Sequence, residues 1–418
     1  MRFSGQGLCA RCKGRGWCGK DRCPLLVKFY IQQRTQPMLG KDIDGSSPPG
    51  VFCGSFGYPK IFIGPLVPPV HGDTTMLDTP EMWTGKSIEE IAEFRFQLVR
   101  GKRVVDVKSP GMIDIGKNVA NERLITDVRE LALADNPSDI EAHFIKKPAG
   151  RIALHSEVQP FGPSAPIKKM DISSLKIDRK IDRAYSDTDL KARDAVLELY
   201  KKGILISKIQ KSFSVGAFGM GKRRRFVPTR WSITAVDSTI GAALMENTKT
   251  CPIMNEYRIY ETVNLDNRWV VLMLPREWCY ELIEAWYPNT IWNPKGNRIE
   301  IFSDHEFYDG RTEYAEIGGC YYAARLAVNE LLNKERRQAG VVIMREAHSG
   351  YIMPVGVWNV RQSVRAALKE KPLKFATLKE ALEHIGKKMD ISVETWIRQS
   401  AVLRDTMHQR KITDFVRT

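Results

Sequence analysis

The 418-residue sequence predicts an α+β fold: mixed sheets and helices in two packed domains, with a small N-terminal zinc-binding segment and an extended C-terminal tail. Three observations lead there. The chain is too long for one typical core. Strand-like and helix-like runs are mixed without the strict alternation of a doubly wound sheet. Four of the eight cysteines lie in the first 23 residues, a density suited to a separate small segment. The expected organisation is therefore a four-cysteine segment over 1–28, a first domain over 29–295 with a central basic loop, a second α+β domain over 296–404, and a tail over 405–418.

A composition of 43% apolar and 27% charged residues is that of a folded soluble chain. The longest apolar run, residues 269–274, suits a buried strand and is far too short to span a membrane. The start, Met1-Arg-Phe-Ser-Gly, has no apolar signal core, so a cytoplasmic protein is expected. A formal charge of +15 points to a partner made of phosphates, because cations gain affinity by releasing condensed counterions.

At the N-terminus, Cys9-Ala-Arg-Cys12 and Cys18-Gly-Lys-Asp-Arg-Cys23 place four thiols in one glycine-rich stretch. Zn²⁺ takes four soft ligands in a tetrahedron, and a Cys-x-x-Cys loop supplies two from one turn. The segment holds too few apolar residues for a core of its own, so structural zinc on Cys9, Cys12, Cys18 and Cys23 is expected. Residues 40–80 are rich in Gly and Pro and read as loops with short strands, with Phe56 and Tyr58 among the aromatics expected to pack. Ser87 and Glu90 form a capping box opening a helix over 88–99. A strand follows at 104–107, and a helix over 119–134. A strand then runs into a proline-rich loop presenting His155 and Glu157. His-x-Glu occurs in zinc deaminases, but the Pro-Cys-x-x-Cys partner is missing here, which excludes that chemistry. A helix over 188–202 ends at Gly203.

The central stretch 216–232 follows. From 199 to 236 there are nine Lys or Arg and no Asp or Glu. Gly216-x-x-x-x-Gly221-Lys222 matches most of a phosphate-binding loop, but Arg223 stands where Ser or Thr would hold Mg²⁺, and Pro228 is expected to interrupt a following helix. What remains is a flexible glycine segment flanked by guanidinium groups. Lys222, Arg223, Arg224, Arg225 and Arg230 are expected to hold nucleic-acid phosphates, with Trp231 stacking on a base or on Arg230.

Strands are expected at 257–263, 268–274, 298–302 and 341–345, and helices at 277–286, 319–332, 357–368, 378–385 (closed by Gly386) and 393–403. Asp304, Glu306, Asp309 and Glu313 form an acidic group after a strand; a nuclease built on Asp304 and Glu306 would take Mg²⁺ or Mn²⁺. His155 and Glu157 are the other catalytic candidates.

The tail reads Gln409-Arg-Lys-Ile412-Thr-Asp-Phe415-Val416. Ile412 and Phe415 fall on one face of a single turn, which suits a docking peptide. Gln409, Ile412 and Phe415 resemble the PIP motif that binds the PCNA sliding clamp, with Val416 in place of the usual second aromatic. Together with the four-cysteine segment and the 227–234 block Val-Pro-Thr-Arg-Trp-Ser-Ile-Thr, the whole chain resembles the archaeal Nre family of DNA-repair proteins. That resemblance implies a DNA-damage repair factor that binds DNA, carries zinc at its N-terminus and docks on PCNA, with other repair proteins as further partners. The alternatives are a metal-dependent repair nuclease and an RNA-binding or RNA-modifying protein.

Overall fold

A computed structural model describes residues 23–111, 119–150, 162–173, 175–290, 292–293 and 296–408. The fold is α+β. The chain divides into two compact units, one of residues 23–240 and 354–356, the other of the described residues in 241–353 and from 357 onward. The break between these units falls inside a helix.

The first unit is built on a mixed sheet of six strands: β1 (Asp42–Ser47), β2 (Val51–Cys53), β3 (Lys60–Val67), β4 (Val99–Asp106), β5 (Ser138–Phe144) and β6 (Ser164–Ile172), ordered β1-β5-β6-β4-β3-β2. Only the β4–β6 pair is parallel. Strand β5 buries alternate residues, as a half-covered strand should. Around the sheet run α1 (Pro24–Thr35), α2 (Ile88–Gln97), α3 (Val119–Leu133), α4 (Arg179–Ser186), α5 (Ala192–Lys201) and α6 (Ile206–Ser214). The capping box at the start of α2 is formed in full by Ser87 and Glu90. Helix α5 is shorter than its amphipathic pattern suggests, yet ends where expected. Gly203 takes φ +77°, and its amide donates to Tyr200 O, closing the last turn.

Helix α7 (Thr229–Lys249) was not expected. Pro228 does not interrupt a helix; it precedes the first residue of one, where its missing N–H costs nothing. The division between the units falls within α7.

The second unit holds β7 (Tyr257–Asn264), β8 (Asn267–Leu274), β9 (Cys279–Trp286), β10 (Glu300–Glu306), β11 (Gly340–Ala347) and β12 (Leu373–Phe375), ordered β10-β9-β11-β8-β7-β12 with β9–β11 parallel. Both faces are covered. Trp269, Val271 and Met273 of β8 join one core with α8 (Gly319–Glu335) and α9 (Trp358–Lys369). Val270, Leu272 and Leu274 join the opposite core with α10 (Leu378–Lys388), α11 (Val393–Gln399) and α12 (Ala401–His408).

Strand β9 corrects the expectation of a helix over 277–286. Its apolar residues and two acids repeat with helical spacing, but every position is buried, including Glu281 and Glu284. Glu281 accepts from the Ala401 and Val402 amides (2.9 and 3.0 Å) and so caps α12. Glu284 receives Arg345 Nη1 at 2.6 Å. The helix expected over 393–403 breaks at Ser400, whose hydroxyl also reaches Glu281. Gly386 lies within α10, which continues to Lys388.

Among the described residues, no helix is long and apolar enough to cross a membrane.

Candidate nucleic-acid interface

The loop between α6 and α7 carries the four consecutive cations, and it is firmly held. Val227 N donates to Ser214 O (2.8 Å), and Ser214 Oγ donates to Val227 O (2.7 Å). Phe226 is buried, and its amide donates to Val107 O at 2.8 Å. Gly216 sits beneath Arg225 with φ +66°, where a Cβ would lie 2.6 Å from the Arg225 carbonyl oxygen. The Gly219 carbonyl is occupied by Arg224 Nε at 2.8 Å. These glycines let the loop fold rather than let it approach a phosphate. Gly221 alone among the three has open space around it.

The cations divide into two groups. Arg224 is buried: its guanidinium lies 5.3 Å from the Tyr185 ring centroid and donates to Asp187 O at 2.8 Å, and burial lowers its pKa. It braces the loop, which removes it from the expected phosphate contacts. Lys202 pairs with Glu198, and Lys211 reaches Asp78 at 2.9 Å. Lys208 turns inward to the carbonyls of Ala132 and Ala134 at the end of α3, and burial brings its pKa down to about 7, with Lys211 adding to the effect. A window without acids therefore still finds partners elsewhere in the chain. Lys222, Arg223 and Arg225 are exposed and make no ion pair among the described residues.

Next to them is an aromatic surface. Trp231, in the first turn of α7, is 46% exposed, and its ring lies 5.3 Å from that of Tyr58 at 54°. Tyr58 and Phe56 occupy the turn between β2 and β3 and are 53% and 85% exposed. They were expected to pack; Ile61 and Ile63, inside β3, are the residues that do. Two sets of bonds fix the turn against the cationic loop. Cys53 N donates to Thr229 Oγ1 at 3.0 Å. Val107 accepts from Phe226 and donates to Pro59 O at 3.0 Å. Lys60 and Lys108, at the ends of this junction, are exposed and unpaired among the described residues. Asp106 is the acid across from Lys60, and its carboxylate accepts from the Lys108 amide. Arg230 is exposed in the first turn of α7, which contains no acid. The first-turn amides of a helix lack intrahelical acceptors and favour anions.

Arg225 and Arg230 are five residues apart, so their Cα atoms lie within about 18 Å of each other. The junction thus gathers exposed cations and stacking rings on one held scaffold. Phe56, Tyr58, Lys60 and Lys108 escape a reading of the sequence, since they are remote from the basic window and in no motif.

The other candidates fare differently. Asp304 and Glu306 lie within β10, on its buried side, and not after a strand. Asp304 receives Arg311 (2.7 Å) and the Ile317 amide (2.9 Å); Glu306 receives Arg325 at 2.8 Å. Both carboxylates are already neutralised by arginines, whereas Asp309 and Glu313 are exposed. His155 and Glu157, Cys9, Cys12 and Cys18, and Gln409, Ile412, Phe415 and Val416 lie outside the described residues. Cys23 is half-buried at the start of α1, where Val27 N donates to its carbonyl.

Comparison with known proteins gives a consistent result. The family model described as archaeal Nre, N-terminal, matches residues 17–293, and that described as archaeal Nre, C-terminal, matches 306–415. The chain is 38% identical to DNA repair protein NreB of Archaeoglobus fulgidus, over 98% of this chain and 100% of that one. It is 34% identical to DNA repair protein NreA of the same organism (91% and 94% covered) and 31% identical to DNA repair protein NreA of Haloferax volcanii (90% and 90%). No solved structure gives a significant match.

Proposed function

Since the chain belongs to the archaeal Nre family, we propose that it is a DNA-repair factor that grips DNA through the junction of the 215–228 loop, the β2–β3 turn and the start of α7. The observation that carries this reading is the pairing of unneutralised cations (Lys222, Arg223, Arg225) with the exposed Tyr58–Trp231 rings. Cations alone would suit any duplex backbone. Exposed aromatic faces add stacking on unpaired bases, each worth about 1–3 kcal/mol. The preferred ligand is therefore single-stranded or locally unpaired DNA.

The other parts of the proposal rest on the sequence. Cys9, Cys12, Cys18 and Cys23 hold a structural Zn²⁺, which would supply the folding energy that a segment without a core lacks. Cys23 at the positive end of α1 suits a metal-bound thiolate. The tail docks on PCNA through Gln409, Ile412, Phe415 and Val416, and tethering there raises the local concentration at DNA without demanding tight intrinsic binding.

Two measurements test the reading. Tyr58→Ala with Trp231→Ala should weaken binding of a single-stranded oligonucleotide at least about tenfold while leaving duplex binding nearly unchanged; equal losses on both ligands would remove the stacking role. A clamp pull-down should lose the Phe415→Ala chain. Retention of that variant at parental levels would remove the tether.

A further inference from the structure

We infer that Glu346, His348 and Asp390 form a binding site for a divalent transition-metal ion in the second unit, separate from the four-cysteine segment. Strands β9 and β11 run parallel and end side by side, with Ala347 opposite Trp286. Tyr287 follows β9 directly, Glu346 is the penultimate residue of β11, and His348 comes just after it. The loop before α11 brings Asp390 to the same place.

Each side chain is oriented by contacts other than those among the three ligand atoms. Glu346 is fully buried and accepts from the Asp390 and Ile391 amides at 3.2 and 2.8 Å. The His348 ring lies against Tyr287, with ring centroids 4.2 Å apart at 31°. Asp390 is held through Oδ1 by Arg268, which leaves Oδ2 facing His348.

The decisive feature is what these groups leave undone. His348 Nε2 is buried and has no hydrogen-bond partner. It sits 3.5 Å from Glu346 Oε2 and 4.0 Å from Asp390 Oδ2. Those separations are too long for hydrogen bonds, which cluster near 2.9 Å. They are close to the spacing of ligands around one ion: bonds of about 2.1 Å at tetrahedral angles hold neighbouring ligand atoms about 3.4 Å apart. All three ligand atoms lie within 4.8 Å of one another. An ion at the centre would give Nε2 its missing partner with shifts of a few tenths of an ångström. One imidazole with two carboxylates suits Zn²⁺ or Mn²⁺ rather than a soft-metal site. The two carboxylates together match the charge of a divalent ion, and with Arg268 on Asp390 the loaded cluster would carry a net charge of only +1. The Tyr287 ring, packed on His348, forms one wall of the site.

The test uses the full chain, as purified, titrated with Mn²⁺ and followed by the loss of the free-ion electron paramagnetic resonance signal. Mn²⁺ has little affinity for thiolates, so a zinc-loaded cysteine segment does not contribute. One equivalent should bind and be displaced by Zn²⁺. His348→Gln and Asp390→Asn should each weaken it at least about tenfold, by analogy with losses seen on disturbing metal-site geometry. Both variants avoid the buried Glu346, and an unchanged melting temperature confirms that they fold. Failure of the parent chain to bind Mn²⁺ into the millimolar range would overturn the assignment, as would equal binding by the parent and both variants.

Discussion

Replacing Lys222, Arg223 and Arg225 together by Ala separates their role from that of Arg224 beside them. The three are exposed and make no ion pair among the described residues, so their loss should leave the fold intact. Each phosphate contact to single-stranded DNA contributes about 0.7 to the slope of log affinity against log salt. Losing three contacts should flatten that slope by about 2. Over a fourfold rise in salt, from roughly 50 to 200 mM, the parent should then lose about 20-fold more affinity than the variant. Fluorescence anisotropy of a labelled oligonucleotide across that range reads the slope directly. A folded triple variant with the parental slope would show that these cations do not touch phosphate, and the interface would have to be sought elsewhere.

Other substitutions probe the frame around the site. Arg224→Ala should leave the salt slope unchanged but cost about 1–3 kcal/mol in urea unfolding, because it strands the Gly219 and Asp187 carbonyls. Lys208 has a folded-state pKa of about 7, below its unfolded value, so between pH 7 and the unfolded pKa the unfolded chain binds the extra proton. Stability should therefore rise with pH across that window; Lys208→Met should flatten the rise, and an unchanged pH profile would contradict the burial argument. In the second unit, Arg345 is enclosed by Trp269, Trp286 and Tyr351 and paired with Glu284. Glu284→Ala should cost about 3–5 kcal/mol by leaving that charge buried alone, and a loss well under 1 kcal/mol would mean the pair carries little.

How much was legible in the sequence depended on whether local chemistry was enough. Ser87 with Glu90 announced a helix start that the structure reproduces as a capping box, and Thr377 with Glu380 forms another at the start of α10. Runs such as 268–274 announced buried strands. Strand β9 was illegible because Glu281 and Glu284 mimic a helix's polar face while their partners, the α12 amides and Arg345, come from about 120 and 60 residues away, respectively. Helix α7 was hidden by Pro228, whose effect on a helix depends on whether it stands inside or before it. The basic window was visible, but its division was not. Arg224 and Arg225 are neighbours, and only the three-dimensional placement of Tyr185 and Asp187 separates the brace from the exposed cation. The aromatic half of the surface comes from a turn more than 150 residues earlier, brought in by the Cys53–Thr229 and Val107 bonds.

Photo-crosslinking tests the central claim most directly. The full chain is irradiated with single-stranded DNA containing 5-iodouracil, digested, and its adducts are mapped by mass spectrometry. Adducts are expected on Tyr58 or Trp231 and should disappear at high salt. Efficient crosslinking confined to other residues, with both rings unmodified, would contradict the claim.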